Sequence, residues 1–261
     1  MYAPERQAAI SAVITAQGRA GVTDLAERFD VTTETIRRDL DLLERAGLLR
    51  RVHGGAVAPN RTSAVEAAVA QRTDLARQAK QRIAQAAFRY IPSDGRSAVL
   101  LDAGTSTGVL AELLADWRGE RTDDVLSVIT HSVTAATLLL HAPAVELHLL
   151  GGRVRRVTDA AVGPGTVEQI SRLRPDVAVL GTNGISAAGL TTPDEGEAAV
   201  KTAIVRAARR VILLADATKF DEEALVLFAG LADIDVLVTD AAPPAPLARA
   251  LADAEVEVVV A

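Results

Sequence analysis

The 261 residues contain no cysteine, which removes disulfides, thiolate zinc sites and iron–sulfur clusters from the available chemistry. The four histidines, His53, His131, His141 and His148, are not spaced as a metal-ligand cluster, so no metal and no resident cofactor is expected. Aromatics make up only 3% of the chain, so the core must be aliphatic and there is almost no platform for stacking single-stranded bases. No unbroken apolar run approaches the roughly 18 residues of a membrane-spanning helix. The opening MYAPERQ carries Glu5 and lacks the apolar segment of a signal peptide. The expectation is a soluble cytoplasmic protein with no membrane partner.

What is present is a folded-protein composition, 49% hydrophobic and 24% charged, long enough for a small domain joined to a larger one. The net charge of -6 is unevenly distributed. Residues 1–60 hold eight Arg and eight acidic side chains, so the whole deficit lies beyond them. Between Arg45 and Val65 there is no acidic residue, while Arg45, Arg50, Arg51, Arg61 and His53 fall in that stretch. A local basic patch on an acidic protein suits phosphate contact with limited non-specific adhesion.

The first sixty residues read as helix, helix, tight turn, helix and hairpin. Tyr2 to Gln17 has Pro4 in its first turn and Ile10, Val13 and Ile14 at helical spacing. GVTDLAERFD supplies a second helix, with Thr23 as its expected cap and Leu25, Ala26 and Phe29 as its apolar stripe. Asp30 to Thr32 is a tight turn, and TETIRRDLDLLERAG follows as a third helix capped by Thr32. Ile36, Leu40 and Leu43 point inward, which at about 100° per residue puts Glu34, Arg38 and Arg45 outside. Leu48, Leu49 and Val52 then form a short strand, turned back at Gly54-Gly55. This is the order of a winged helix-turn-helix, whose arginine-bearing helix fits the major groove of double-stranded DNA. Periodicity alone also fits three charged helices of an unrelated small domain.

Residues 1–57 are expected to be the DNA-binding domain, 58–74 a Pro59-containing linker with the start of a connecting helix, and 75–261 a sensing and oligomerisation domain. In the last, seven apolar runs at 98–102, 125–130, 145–150, 177–181, 211–216, 235–240 and 256–260 lack alternation, the pattern of parallel strands buried on both faces. Their ends are small or polar: DAGTST after the first, THS after the second, GTNG after the fourth, DATK after the fifth. Such loops offer backbone N–H groups and helix N-termini at the carboxyl edge of an α/β sheet. They suit a phosphate-and-polyol ligand better than an apolar one. Neither GxGxxG nor GxxxxGK[ST] occurs, so a dinucleotide or ATP site is not indicated.

The stretch from Glu5 to Ala56, with TIRRDL at 35–40 followed by GLLRRVHGGA, resembles the N-terminal signature of the DeoR/GlpR family of bacterial regulators. LLDAGTST, ITHSV, LLGG, AVLGTNGIS, GLTTPDEGEAAVK and LLADATKF resemble successive landmarks of that family's sensor domain. The resemblance implies an α/β sensor similar in fold to ribose-5-phosphate isomerase, a phosphorylated sugar or related metabolite as effector, and a homodimer or homotetramer on double-stranded operator DNA. It assigns Thr33, Thr35, Arg37 and Arg38 to the DNA-reading helix, and Arg50, Arg51, His53 and Gly54 to the wing. It carries the effector site onto Asp102, Gly104, Thr105, Ser106, Thr107, His131, Asn183, Glu197, Lys201, Asp216 and Lys219. His131 and Ala217 depart from the family pattern, where Asn and Ser are usual, and Ser106 stands where a second Thr is common. Two other functions compete with a repressor: sugar-phosphate isomerisation, with Asp102, Asp194, Glu195 or Glu197 as base, and ligand-independent architectural DNA binding. The first leaves the winged helix unexplained, and the second leaves the large C-terminal region unexplained. No catalytic residue is therefore assigned.

Overall fold

A computed structural model describes residues 6, 7, 9, 10, 13, 14, 19–45, 49–52, 55–57 and 77–261; for 19, 45, 50–52 and 57 it describes the backbone alone. The chain divides into two compact units, residues 1–62 and 63–261.

In the first unit, β1 (Arg19–Gly21) leads into α1 (Val22–Phe29) and α2 (Thr33–Arg45), followed by β2 (Arg50–Val52) and β3 (Gly55–Val57). Ile10 and Ile14 pack with Leu25, Ile36, Leu40 and Leu43 into one aliphatic core, as their helical spacing requires. α1 is capped by Gly21 and not by Thr23. The reason is β1: the chain passes straight from strand to helix, which leaves Thr23 exposed inside the first turn. Asp30 ends α1 in the left-handed region at φ 51°, and the Thr32 hydroxyl accepts from the Thr35 N–H at 3.2 Å to open α2. The β2–β3 hairpin is extended by β1 in the order β1-β3-β2, all antiparallel. Gly55 is obligatory there, because a Cβ would meet the Ala20 carbonyl oxygen at 2.3 Å.

The second unit runs α3 (Arg77–Phe88), β4 (Ala98–Leu101), α4 (Thr105–Ala115), β5 (Leu126–Thr130), α5 (Val133–Leu139) and β6 (Val145–Leu149). It continues through β7 (Arg153–Arg155), β8 (Ala160–Val162), α6 (Pro164–Ser171), β9 (Val177–Gly181), β10 (Gly184–Ser186), β11 (Gly189–Thr192) and α7 (Glu195–Ala207). Last come β12 (Arg210–Leu214), a 3-10 turn at Ala217–Lys219, β13 (Val226–Ala229), β14 (Val236–Thr239), α8 (Ala245–Asp253) and β15 (Glu257–Val260).

All seven apolar runs become strands of one parallel sheet, ordered β15-β14-β12-β9-β4-β5-β6. Alternate residues feed two cores. Val99, Leu101, Val128, Val179, Ile212 and Leu214 pack under α3, α4 and α5 through Ile83, Leu110, Leu114 and Leu139. Leu100, Ala178, Leu180, Val211 and Leu213 pack on the other face under α6, α7 and α8. This two-sided burial is why the strands read as continuous Val and Leu. Two small sheets are not legible as apolar runs: the β7–β8 hairpin and the antiparallel β10-β11-β13. All five of their strands are only three or four residues long, too short to show a period.

From β4 the crossovers move outward through β5 to β6, whereas from β9 they move the other way through β12 to β14 and β15. β4 and β9 are therefore the neighbours at which the topology reverses. An open parallel sheet parts its loops at that point and forms a crevice beyond the strand ends.

Candidate functional site

On the first unit, α2 buries Ile36, Leu40 and Leu43 and exposes Thr33, Glu34, Arg37 and Arg38, with Thr35 half-buried. Asp39, on the same helix, turns inward, where it accepts from Arg6 Nε at 2.6 Å and Gln7 Nε2 at 2.9 Å. Its charge therefore does not offset the outer arginines. Glu34 does lie beside them, 3.8 Å from Arg37 Nη1 and 3.4 Å from Arg38 Nε. Exposed pairs of this kind are worth about 0.3–0.5 kcal/mol, so a phosphate or a guanine edge can displace Glu34 at little cost. Arg50 and Arg51 lie on β2, and His53 and Gly54, assigned to the wing, lie outside the described residues.

On the second unit the crevice has a charged floor. Asp102, directly after β4, is 1% exposed, and both its carboxylate oxygens are engaged. Oδ1 lies 3.0 Å from His131 Nε2, while Oδ2 accepts from the Gly181 N–H at 3.1 Å and from the Lys201 ammonium. Lys201 comes from the second turn of α7 and also donates to the Gly181 carbonyl at 2.9 Å. One carboxylate thus ties together the ends of β4, β5 and β9 and the helix after β11. Burial by itself raises the Asp102 carboxyl, but the Lys201 charge and the His131 hydrogen bond outweigh it and hold the group at about 2.

His131 is fixed from both sides of its ring. Nδ1 is 2.9 Å from the Ala161 carbonyl, which can only accept, so Nδ1 carries a proton. Nε2 lies 3.2 Å from the Ala103 nitrogen and 3.0 Å from Asp102 Oδ1. The imidazole links β8 to the loop that leads into α4. That loop is capped by Gly104 with no side-chain bond to the first turn of α4. Thr107 is buried and donates to the Gly104 carbonyl at 3.1 Å. Thr105 and Ser106 are half-buried, and their hydroxyls have no hydrogen-bond partner among the described residues.

A second buried charge cluster closes the β7–β8 hairpin onto α7. Glu197 accepts from Arg155 Nη1 at 3.2 Å and from the Thr158 hydroxyl, while Arg155 Nε lies 3.2 Å from Asp194, which caps α7. Asp216 is likewise occupied, accepting from the Thr218 N–H at 3.1 Å and from its hydroxyl to cap the 3-10 turn after β12. Lys219 ends that turn, half-buried, just beyond β12, the strand beside β9. Asn183 follows β9, where its side-chain oxygen accepts from Thr192 at 3.0 Å.

The eleven residues carried over by resemblance thus separate into two groups. Asp102, Thr107, His131, Glu197, Lys201 and Asp216 are buried and bonded to the protein itself. Asp102, carried into the effector site by resemblance, has both carboxylate oxygens engaged within the protein. Gly104, Thr105, Ser106, Asn183 and Lys219 retain accessible surface. Sequence reasoning missed Arg155, Thr158 and the Ala161 carbonyl. Nothing local marks them, since Arg155 and Glu197 are separated by 42 positions.

A winged unit with outward arginines and an α/β unit with a polar crevice at its switch point define the class of DNA-binding regulators that carry a sensor. Residues 6–62 match the DeoR-like helix-turn-helix domain and residues 75–241 the DeoR C terminal sensor domain, and the chain belongs to the DeoR family of transcription regulators. It is 33% identical to the HTH-type transcriptional repressor CsqR of Escherichia coli K12, across 95% of this chain and 91% of that one. It is 31% identical to the glycerol-3-phosphate regulon repressor of the same organism, across 98% of both. Among solved structures, ribose 5-phosphate isomerase A from Methanocaldococcus jannaschii aligns over 56% of this chain and 55% of its own, at 15% identity and a TM-score of 0.39. A likeness of that size carries no argument about activity. No helix among the described residues is long and apolar enough to cross a membrane.

Proposed function

We propose that this regulator represses a sugar-metabolism operon from the cytoplasm, binding double-stranded operator DNA as a homodimer or homotetramer, and that a phosphorylated sugar or related metabolite relieves the repression. Residues 1–57 read DNA, 58–74 join the units, and 75–261 sense and assemble. One winged helix covers half of a two-fold operator, so each assembly presents at least two copies of α2. Effector binding shifts the population between arrangements that can and cannot engage both half-sites.

The observation that carries the effector class is the first turn of α4 at the switch-point crevice. A helix N-terminus with no side-chain cap, flanked by the Thr105 and Ser106 hydroxyls, presents donors and a positive dipole end to an anion. The Lys201 ammonium is buried against Asp102, whereas Lys219 keeps accessible surface at the end of the 3-10 turn after β12, so Lys219 is the proposed cationic contact, with Asn183 toward the sugar hydroxyls. The name of the glycerol-3-phosphate regulon repressor supports a small phosphorylated polyol as the ligand class.

Calorimetric titration of triose, pentose and hexose phosphates beside their unphosphorylated parents tests this, followed by operator titration with each compound that binds. A phosphorylated compound should bind more tightly than its parent and lower operator affinity. Lys219→Met should weaken that binding and leave operator affinity without effector unchanged. If no phosphate ester binds better than its parent, the pocket assignment fails.

A further inference from the structure

Among the described residues the parallel sheet ends in two unpaired edges, β15 and β6, and they differ. β15 is screened by large polar side chains. The Tyr90 hydroxyl donates to Glu257 at 2.6 Å, Arg210 lies 3.4 Å from the same carboxylate and 4.9 Å over the Tyr90 ring, and Arg82 donates to the Ala261 carbonyl at 3.4 Å. Such side chains obstruct the addition of another strand. At β6 the Leu126 N–H donates to the Ala144 carbonyl at 2.9 Å and the Leu150 N–H donates to Thr130 at 2.8 Å. The alternation of a parallel ladder then turns the backbone groups of Leu147 and Leu149 and the Val145 carbonyl away from β5 and out of the sheet, while the Val145 N–H donates to the Ala142 carbonyl at 3.3 Å. Leu149 is 55% exposed, and beside it Leu138 of α5 and Leu140 just after that helix are 38% and 64% exposed. An open strand edge lined by apolar side chains is a template for pairing.

We infer that β6 is the interface with a second copy of this chain, the two edges pairing antiparallel about a two-fold axis at Leu147. This rests on the proposed homo-oligomer and specifies its surface. The register follows from self-complementarity. The outward-facing groups place Leu147 opposite the partner's Leu147 as a hydrogen-bonded pair with Cα atoms about 5.5 Å apart, and Val145 opposite the partner's Leu149, where the Val145 carbonyl accepts from the N–H of the partner's Leu149. On the other face Glu146 then lies opposite the partner's His148, in the closer, non-hydrogen-bonded position, where the carboxylate accepts an imidazole N–H. Within one chain these two exposed side chains already lie 3.8 Å apart. A slip of two residues sets either Glu146 against the partner's Glu146 or His148 against the partner's His148. Only the register centred on Leu147 pairs unlike groups, and it does so twice. It also carries Leu149 toward the end of β6 where the partner's Leu140 is exposed. The contact is isologous and closes, so it yields a dimer and not a fibre.

Leu147→Cys in the full chain introduces the sole thiol. A separation of about 5.5 Å lies within disulfide range, so mild oxidation should give a covalent dimer. Ala187→Cys, at an exposed position between β10 and β11, serves as the collisional control and should remain largely monomeric on a non-reducing gel. Sedimentation should show Leu149→Asp weakening self-association on the order of tenfold or more. Glu146→His and His148→Glu should each weaken it, and the swapped double variant should restore it. A dimer that forms no Leu147→Cys disulfide and ignores the charge swap places the interface elsewhere, which overturns this assignment and leaves the homo-oligomer reading standing. Equal disulfide yield from Leu147→Cys and Ala187→Cys overturns it too. An unmodified chain that stays monomeric at micromolar concentration overturns both.

Discussion

Replacing Lys201 by Met removes one charge from the floor of the crevice and little else. The stem keeps its length, but Asp102 loses its only full countercharge and keeps only the Gly181 N–H and His131 as partners. Removing one member of a buried pair costs about 3–5 kcal/mol, whereas an exposed pair is worth about 0–1 kcal/mol. Side-chain exposures of 6% for Lys201 and 1% for Asp102 put this pair in the first class. Asp102→Asn should cost a similar amount, because it leaves the ammonium with the Gly181 carbonyl and the Phe228 ring at 5.5 Å. The double variant removes both charges together and should recover much of the loss, giving a coupling of about 2 kcal/mol or more.

The assay is built into the chain. Trp117 is the single tryptophan, buried in the core under α4, so its fluorescence in urea reports the second unit. Losses that simply add in the double variant, or a Lys201→Met cost below about 1 kcal/mol, refute the reasoning. The pH dependence supplies an independent check. The folded Asp102 carboxyl, at about 2, lies below its ordinary 3.8, so its contribution is present above 3.8 and lost as pH falls through about 2. That difference is worth roughly 2 kcal/mol. In Lys201→Met the folded carboxyl rises, and acid unfolding followed by Trp117 should move to higher pH.

Arg38→Ala should cost about 1–3 kcal/mol at the operator and narrow its advantage over other duplexes in a fluorescence titration; unchanged preference sinks the base-reading role. Arg51→Ala should weaken all duplexes evenly and reduce the salt slope by about one, and a change in sequence preference would count against a phosphate contact. The Thr239 hydroxyl is fully buried with no hydrogen-bond partner among the described residues, so Thr239→Val, nearly isosteric, should stabilise the second unit by about 1 kcal/mol in urea. A destabilised variant would show that the hydroxyl is satisfied.

The parallel sheet was legible in the sequence because burial on both faces writes itself as uninterrupted Val and Leu, and α2 because Ile36, Leu40 and Leu43 keep a helical period. β1 and the β7–β8 hairpin were not, since three residues carry no period and their pairing is decided by partners distant in the chain. The crevice was legible only in part, for the same reason. Polar strand ends announce where a ligand site lies, and that much is local. Whether a polar residue faces the ligand or braces the loop that does depends on what lies behind it. Asp102 and Lys201 are 99 positions apart, and Glu197 meets Arg155 across 42. Once those contacts form, the charged residues that look most like ligand contacts hold up the loop, and the accessible surface falls to glycine, hydroxyl and amide groups with Lys219. A buried charged floor under a small set of accessible donors suits the proposed effector site, because substitution at Ser106 or Asn183 leaves the ion pairs beneath in place.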